Sequence, residues 1–185
     1  MGTDARVRYT KKVIRDAFLS LLREKAAKQI TVTELCQQAE INRATFYKHY
    51  RDIFDLLERI EAEVLEHIQN AARQIQGEDA TVHFIHLLEN VREHYGQYVS
   101  LGSERGDPHF AQEISACLFA ETQKSIFLRL PDLPEEQKQN VCRFLEGGGS
   151  RVLEHWVKTG MKEEPAVLAR LIFELSDAAM KLSGI

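Results

Sequence analysis

Cysteine is scarce in this sequence, and the three cysteines that occur are poorly placed for disulfides. Cys36, Cys117 and Cys142 are odd in number, lie far apart along the chain and each fall within an apolar pattern of helical spacing. That arrangement favours small buried side chains in a reducing compartment over disulfide bonds. We therefore expect a cytoplasmic protein whose fold does not depend on disulfides.

Long hydrophobic runs are also missing. No apolar run approaches the ~20 residues that a bilayer crossing needs, and no signal-peptide pattern opens the chain. Alternating strand patterns, internal repeats and low-complexity tracts are absent as well. The 185 residues, 44% of them hydrophobic, suit one large domain or a core with a small appended module. We expect no membrane partner.

The motifs of enzymes and metal sites are weak or missing. There is no nucleophile motif, no phosphate-cradling glycine loop and no pair of catalytic acids, so we do not expect an enzyme. His83, His86 and His94 lie on or near one predicted helix, where i, i+3 histidines can share a metal. Because no convergent cysteine or carboxylate accompanies them, we interpret them as solvated or core-edge side chains. We expect no metal and no cofactor.

The net charge of −4, taken alone, argues against a nucleic-acid partner. Its distribution reverses that argument. Residues 1–50 contain ten Lys/Arg and five Asp/Glu, whereas residues 51–185 contain fourteen and twenty-three, so the two parts carry +5 and −9. A basic segment on an acidic remainder concentrates affinity for phosphate at one end of the chain.

The spacing of apolar residues predicts an all-α architecture of about eight or nine helices. A polar tail containing Arg6 and Arg8 should precede a first helix that is capped by Thr10. Asp52 should cap a long fourth helix. Outside the motif described next, helices are predicted at about 11–25, 53–75, 81–101, 108–130, 135–159 and 165–182.

Residues 30–50, ITVTELCQQAEINRATFYKHY, form the most informative segment. Thr31 and Glu34 fit a capping box, in which a hydroxyl and a carboxylate each satisfy a free backbone amide. Eleven residues later, Asn42 is a suitable cap for a second short helix, Arg43–Tyr50. Apolar pairs suited to staple the two helix starts are Ile30 with Leu35 and Ile41 with Phe46. The segment therefore predicts two short helices joined by a tight turn.

The second of these helices carries the residue types that contact DNA. Arg, Thr, Tyr, Lys and His surround its exposed surface, and they supply phosphate contacts and donors to base edges. Phe46 and Tyr50 fill its inward positions. We interpret the segment as a helix-turn-helix whose second helix enters a DNA major groove.

The first 60 residues resemble the TetR family of bacterial one-component transcriptional regulators. The resemblance rests on the Thr-initiated first helix, on residues 30–50, and on the acidic-aliphatic start of the fourth helix at 55–57. Its most specific part is the run TFYKHY at 45–50. Further along, EGGG at 146–149 and HWVKTGMKE at 155–163 are similar to one C-terminal subgroup, which includes activators as well as repressors.

The resemblance implies a homodimer that binds a palindromic DNA operator, and a repressor is the expected form. It assigns DNA binding to residues 1–51 and dimerisation and ligand binding to the helical residues 52–185. The last two helices would form the dimer, and a small-molecule effector would release or modulate DNA binding. The alternative is an activator or adaptor that is controlled by a protein partner and has no small ligand.

Carried over by position, the resemblance also implies the DNA contacts. Arg43 and Thr33 would face bases, and Ala44 would pack against the groove. Two departures bear on this picture: Glu40 stands where members usually have a glycine suited to left-handed backbone, and Ile53 replaces a frequent phosphate-binding lysine. The remaining contacts, to phosphate, would come from Thr45, Tyr47, Lys48 and His49.

Two features of the later sequence leave alternatives open. Residues 147–149 are three glycines inside a helical pattern, so either the helix breaks there or the glycines allow close helix approach, which we prefer at a dimer interface. Aromatic residues at helical spacing either line an effector pocket or belong to plain core. The candidates for such a pocket are Phe84, Tyr95, Tyr98, Phe110 and Trp156.

Overall fold

The computed structural model describes residues 2–75, 79–94, 99–103, 105–107 and 109–183, and within them every regular element is a helix. The all-α prediction is thus confirmed. The chain divides into two compact units. One, which we call the head, comprises residues 1–64 and 96–111, and the other, the body, comprises residues 65–95 and 112–185.

Over residues 2–64 the head is built from α-helices and one short 3-10 turn. These are α1 (Gly2–Glu24), the turn Ala27–Gln29, α2 (Val32–Gln38), α3 (Arg43–Tyr47) and the first part of α4 (Ile53–Ala72). The apolar stripe of α1 is buried, with Ile14, Phe18 and Leu22 fully enclosed, and α1 packs against α2. The predicted stripe of α4 is likewise buried from Ile53 to Ile68.

The prediction that Thr10 caps the first helix is wrong. Helix α1 begins at Gly2, so the expected polar tail with Arg6 and Arg8 is helical. Thr10 lies inside the helix, where its hydroxyl donates a hydrogen bond to the Arg6 carbonyl oxygen, 2.9 Å away. A threonine hydroxyl that bonds the carbonyl four residues earlier is satisfied within a helix and does not need the capping position.

The body contains α5 (Ala80–Glu93), α6 (Phe110–Arg129, from residue 112 onward), α7 (Glu135–Lys158) and α8 (Pro165–Ser183). Helix α8 packs against α5 and α7, and the rings of Phe84 and Phe173 lie 5.8 Å apart. A cluster of Ile126, Leu130, Leu145 and Met180 joins α6, α7 and α8. None of the described helices combines the length and apolarity that a bilayer crossing requires.

Helix α5 ends earlier than the apolar spacing predicts. The helix stops at Glu93, whereas the prediction extends it to Leu101. Residues 99–101 are helical again. His94 closes the helix: both its backbone amide and its Nδ1 lie within hydrogen-bonding distance of the Asn90 carbonyl oxygen. Residues 95–98 lie outside the described part of the chain, so this prediction is corrected only as far as residue 94.

Helix α7 is continuous through its three glycines, which rules out a break there. A Cβ atom on Gly149 would lie 2.6 Å from Cζ of Phe119, so this glycine permits close approach of the Phe119 ring on α6. A Cβ atom on Gly147 or Gly148 would meet nothing within 4 Å. Close approach within one chain therefore explains Gly149 and not its two neighbours.

Helix α7 ends in a Schellman motif. The Gly160 amide donates to the Val157 carbonyl oxygen and the Met161 amide to that of Trp156, at 3.1 and 2.8 Å. Gly160 takes the left-handed conformation, with φ of 82°, that this motif requires. Trp156 is buried, and its Nε1 donates to the Glu163 carbonyl oxygen at 2.8 Å, which holds the chain beyond the helix end.

Candidate nucleic-acid interface

The start of α2 shows half of the predicted capping box. Thr31 Oγ1 accepts a hydrogen bond from the Glu34 amide at 3.2 Å, as predicted. The Glu34 carboxylate instead accepts from Lys25 Nζ, at 2.5 and 2.6 Å. An ion pair to the segment that follows α1 thus replaces the second half of the box. Ile30 and Leu35, the predicted staple, are both buried.

The turn between α2 and α3 is a second Schellman motif. The Glu40 amide donates to the Gln37 carbonyl oxygen at 3.3 Å, and the Ile41 amide donates to that of Cys36 at 3.0 Å. Glu40 has a φ of 53°, in the left-handed region that favours glycine. The strained turn residue expected from the resemblance is therefore present in the structure.

Helix α3 begins as predicted and ends early. Asn42 Oδ1 accepts from the Thr45 amide at 2.8 Å and from Thr45 Oγ1 at 2.9 Å. The helix ends at Tyr47 rather than Tyr50. The amides of His49 and Tyr50 both donate to the Phe46 carbonyl oxygen, which tightens the last turn and turns the chain toward α4.

The predicted DNA contacts lie in the first turn of α2, on α3 and in the turn after it. Phe46 is fully buried and Tyr50 is nearly so, which confirms them as the inward positions. Thr45 and His49 are half-buried. The other predicted contacts present exposed side chains: Thr33, Arg43, Ala44, Tyr47 and Lys48.

Arg43 and Tyr47 contact each other along α3. Arg43 Nη2 lies 3.4 Å from the Tyr47 hydroxyl, to which it donates, and its Cζ lies 5.9 Å from the centre of the Tyr47 ring. The hydrogen bond to Tyr47 is the main reason that the pKa of Arg43 is raised. Burial raises the pKa of the Cys36 thiol, and the charge of Arg43 lowers it by a smaller amount.

A buried carboxylate holds two arginines beside the end of α3, and the sequence analysis did not single them out. Asp55, which is 6% exposed, accepts from the Arg51 amide at 2.9 Å, from Arg51 Nη2 at 3.2 Å and from Arg59 Nε at 3.2 Å. The Arg51 amide is the largest cause that lowers the pKa of Asp55. The i−4 and i+4 spacing of the two arginines around Asp55 is a signal that could have revealed this cluster.

Ile53 and Asp52 complete the start of α4. Asp52 Oδ1 accepts from the Asp55 amide at 2.8 Å, so Asp52 caps the helix as predicted. Ile53 is 5% exposed and packs in the core. The departure noted at Ile53 therefore removes a cation from this position, while Arg51, two residues earlier, carries an exposed guanidinium.

A loop distant in sequence supports the helix-turn-helix within the head. The Ala27 amide donates to the Arg105 carbonyl oxygen at 2.7 Å, and Arg105 Nη1 donates to the Arg23 carbonyl oxygen at the end of α1. The Asp107 amide closes this loop on the Leu101 carbonyl oxygen at 2.8 Å. These bonds hold the connection between α1 and α2 from outside the helix-turn-helix.

The aromatic residues predicted to line an effector pocket have other surroundings where the structure describes them. Phe84 packs on Phe173 and Trp156 is bound to a backbone carbonyl, both in the body. Phe110 is buried in the head, and Tyr95 and Tyr98 lie outside the described residues. A cleft of about 350 Å³ opens between α6 and α7, and neither Phe84 nor Trp156 lines it. Its lining includes Phe119, Gln123, Ile126, Gln139, Cys142 and Leu145.

No three His, Cys, Asp or Glu side chains in the described ranges are grouped so that they could hold a metal ion. The exposed surface of the head combines donors, cations and an aromatic ring around one short helix, an arrangement suited to a polyanion with readable edges.

Comparison with known proteins agrees with this geometry. Residues 78–178 match a TetR C-terminal family described as "Transcriptional regulator C-terminal region". The "Uncharacterized HTH-type transcriptional regulator YxbF" of Bacillus subtilis (strain 168) is 26% identical over an alignment of 185 residues. The alignment covers 94% of this chain and 46% of YxbF. The chain thus spans about half the length of that relative.

Two solved structures share the fold. "Dihydroxyacetone kinase operon activator DhaS" has a TM-score of 0.64 and 21% identity, and the match covers 94% of this chain and 97% of that one. A TetR transcriptional regulator from Streptococcus agalactiae 2603V has a TM-score of 0.67 and 24% identity, with coverage of 95% and 98%. Since the family match spans more than half of the sequence, this chain belongs to the TetR-type family of helix-turn-helix transcriptional regulators.

Proposed function

We propose that this protein is a repressor that binds a palindromic operator as a homodimer and is released or modulated by a small-molecule effector. The observation that carries the proposal is the exposure of Arg43, Ala44 and Tyr47 on α3 and of Lys48 directly after it, while Phe46 anchors the helix in the core. DNA binding is assigned to residues 1–51 and dimerisation and effector response to residues 52–185. Two recognition helices related by a twofold axis would read two half-sites.

The contacts divide by chemistry. Arg43 and Thr33 are assigned to base edges and Ala44 to the groove wall, because a bidentate guanidinium and a small apolar side chain suit those roles. Tyr47, Lys48 and His49 are assigned to phosphate. Thr45 is assigned there as well, but its hydroxyl donates to Asn42 Oδ1 in the free head, so its phosphate contact requires that bond to be exchanged.

Base readout by Arg43 is tested with a randomised duplex library bound by wild-type and Arg43→Ala protein. We expect discrimination at one base pair of each half-site to fall by roughly 5- to 150-fold. Arg73→Ala is a matched control, because Arg73 is an exposed arginine of the body away from the last two helices, and it should leave both affinity and preference unchanged. Uniform weakening across all sequences would show that Arg43 contacts phosphate instead.

The homodimer proposal is supported by exposed apolar side chains on the last two helices. Val167, Leu171 and Leu175 follow one another at intervals of four on α8 and are 54%, 42% and 58% exposed, while Phe144 on α7 is 71% exposed. Apolar stripes of this kind are what an isologous four-helix contact buries.

The dimer is tested by light scattering at micromolar concentration with Leu175→Glu. We expect this variant to be monomeric and to lose affinity for a full palindrome. Val82→Glu is the matched control, because Val82 is an apolar residue on α5 of the same unit with 48% exposure. A wild-type monomer, or equal effects of the two substitutions, would overturn the proposed interface.

For the effector, the cleft between α6 and α7 is a better candidate than the aromatic set from the sequence, because Phe84 and Trp156 are enclosed in the body. Thermal-shift screening of metabolites tests this. A stabilising compound should lose its effect when Cys142→Trp fills the cleft. A compound that stabilises both forms equally would bind elsewhere.

The name of one structural neighbour, an operon activator, favours a second candidate function. In that form the protein would activate transcription, or act as an adaptor, under control of a protein partner and without a small ligand. A reporter gene behind the bound operator separates the two: deletion of the regulator raises expression for a repressor and lowers it for an activator. Absence of stabilisation by any metabolite would favour the partner-controlled form.

A further inference from the structure

The contact between Arg43 and Tyr47 places the candidate base-reading side chain against a fixed support. An arginine side chain has several rotatable bonds, and fixing them reduces the rotamer entropy that opposes binding. In the head, the Arg43 guanidinium both donates to the Tyr47 hydroxyl at 3.4 Å and lies over the Tyr47 ring at 5.9 Å. Two separate interactions therefore favour one direction of the arginine.

The Tyr47 ring is itself packed against the aromatic core of the head. It meets the Phe46 ring edge-on, with centroids 5.5 Å apart and planes at 81°. Phe46 is fully buried and packs in turn on Tyr50 at 5.6 Å. Because an aromatic side chain has only two χ angles, such packing fixes its position at low entropic cost. The support of Arg43 thus extends from the head core.

The contact leaves Arg43 able to bind DNA. A guanidinium has five N–H donors, and the bond to Tyr47 uses one of them. Since the Tyr47 hydroxyl accepts from Arg43, its own proton is free to point to another acceptor such as a phosphate oxygen. The pair can therefore serve a base edge and a phosphate together.

We infer that Tyr47 is a positioning residue for base recognition, which holds Arg43 in the direction that reads the base in addition to its phosphate contact. This inference rests on the proposed function. It differs from a phosphate role alone in one measurable respect. A phosphate contact changes affinity for all sequences alike, whereas a positioning contact changes which base is preferred.

The experiment compares full-length wild-type, Arg43→Ala, Tyr47→Phe, Tyr47→Leu and Lys48→Ala proteins on one randomised duplex library. Tyr47→Phe removes the hydroxyl and keeps the ring, and Tyr47→Leu removes both. We expect Tyr47→Phe to lower discrimination about 3- to 10-fold at the base pair that Arg43→Ala affects, and Tyr47→Leu to lower it further. Lys48→Ala, the phosphate control, should weaken binding without a change of preference.

A double-mutant cycle completes the test. In the Arg43→Ala background, Tyr47→Phe should cause no further loss of discrimination, because there is no arginine to position. An unchanged preference in Tyr47→Phe, or a change at a base pair that Arg43→Ala does not affect, overturns the inference and leaves the proposed function standing. Equal binding of all sequences by the wild type overturns both. Thermal melts of each variant confirm that the half-exposed position tolerates the change.

Discussion

Glycine in place of Glu40 should stabilise the head. Glu40 occupies the position after the α2 cap in a Schellman motif, with φ of 53°. The same motif ends α7, and there the equivalent position is Gly160, with φ of 82°. One protein therefore contains the same backbone requirement twice, satisfied once by glycine and once by a residue that carries a Cβ atom.

The size of the effect follows from two opposing terms. The left-handed conformation costs a non-glycine residue roughly 1–2 kcal/mol. Glycine at position 40 also makes the unfolded chain more flexible, which offsets about 0.4–1 kcal/mol of that gain. We expect Glu40→Gly to raise the free energy of unfolding by about 0.5–1 kcal/mol. Gly160→Ala should lower it by a similar amount, because an added Cβ there meets nothing within 4 Å and adds only backbone strain.

Urea unfolding and amide hydrogen exchange measure both changes. Exchange at the Ile41 amide, which donates to Cys36 in the Glu40 turn, reports the head, and Trp156 fluorescence reports the body. Glu40→Gln separates charge from backbone, because glutamine keeps the Cβ atom and removes the negative charge at the end of α2. Stabilisation by Glu40→Gln equal to that by glycine would refute backbone strain and assign the effect to the helix dipole.

Three further predictions follow from named contacts. Because the pKa of Asp55 is lowered from 3.8, its stabilising effect is complete above that pH and lost as the pH falls through the folded-state pKa. Asp55→Asn should therefore be less stable at neutral pH and should show a flatter acid limb in thermal melts; an unchanged acid limb would contradict this. Operator affinity should fall steeply with salt, and Lys48→Ala should reduce the slope of log K against log[salt] by about 1. Trp156→Phe should lower the free energy of unfolding by about 0.5–1.5 kcal/mol through loss of its hydrogen bond, and a loss below a few tenths would show that water takes the place of the indole N–H and donates to the Glu163 carbonyl oxygen.

The helix-turn-helix was predictable because its signals are local. Thr31 and Asn42 cap the two helices in the structure, and the burial of Phe46 and Tyr50 follows from their spacing. The left-handed turn at Glu40 was also expected. The errors lie at helix ends, where α1 starts at Gly2 and α5 ends at Glu93. Propensity patterns resolve such boundaries poorly because one hydrogen bond, such as that of a threonine to its own helix, can shift them.

The amino-acid sequence alone determined the properties that depend on residues close together in the chain. These are helical periodicity, caps, one strained turn, and a basic segment followed by an acidic one. Other properties depend on groups that only the folded chain brings together. Arg105 holds the end of α1 from about eighty residues away, and Gly149 makes room for Phe119 of another helix. Nothing near Phe84 or Trp156 in the sequence shows that one would pack on Phe173 and the other would donate to the Glu163 carbonyl oxygen. The physical reason is the distance along the chain over which each interaction acts. Backbone preferences and i, i+4 contacts depend on residues that are close in sequence, whereas burial and long-range hydrogen bonds form only after distant segments have packed.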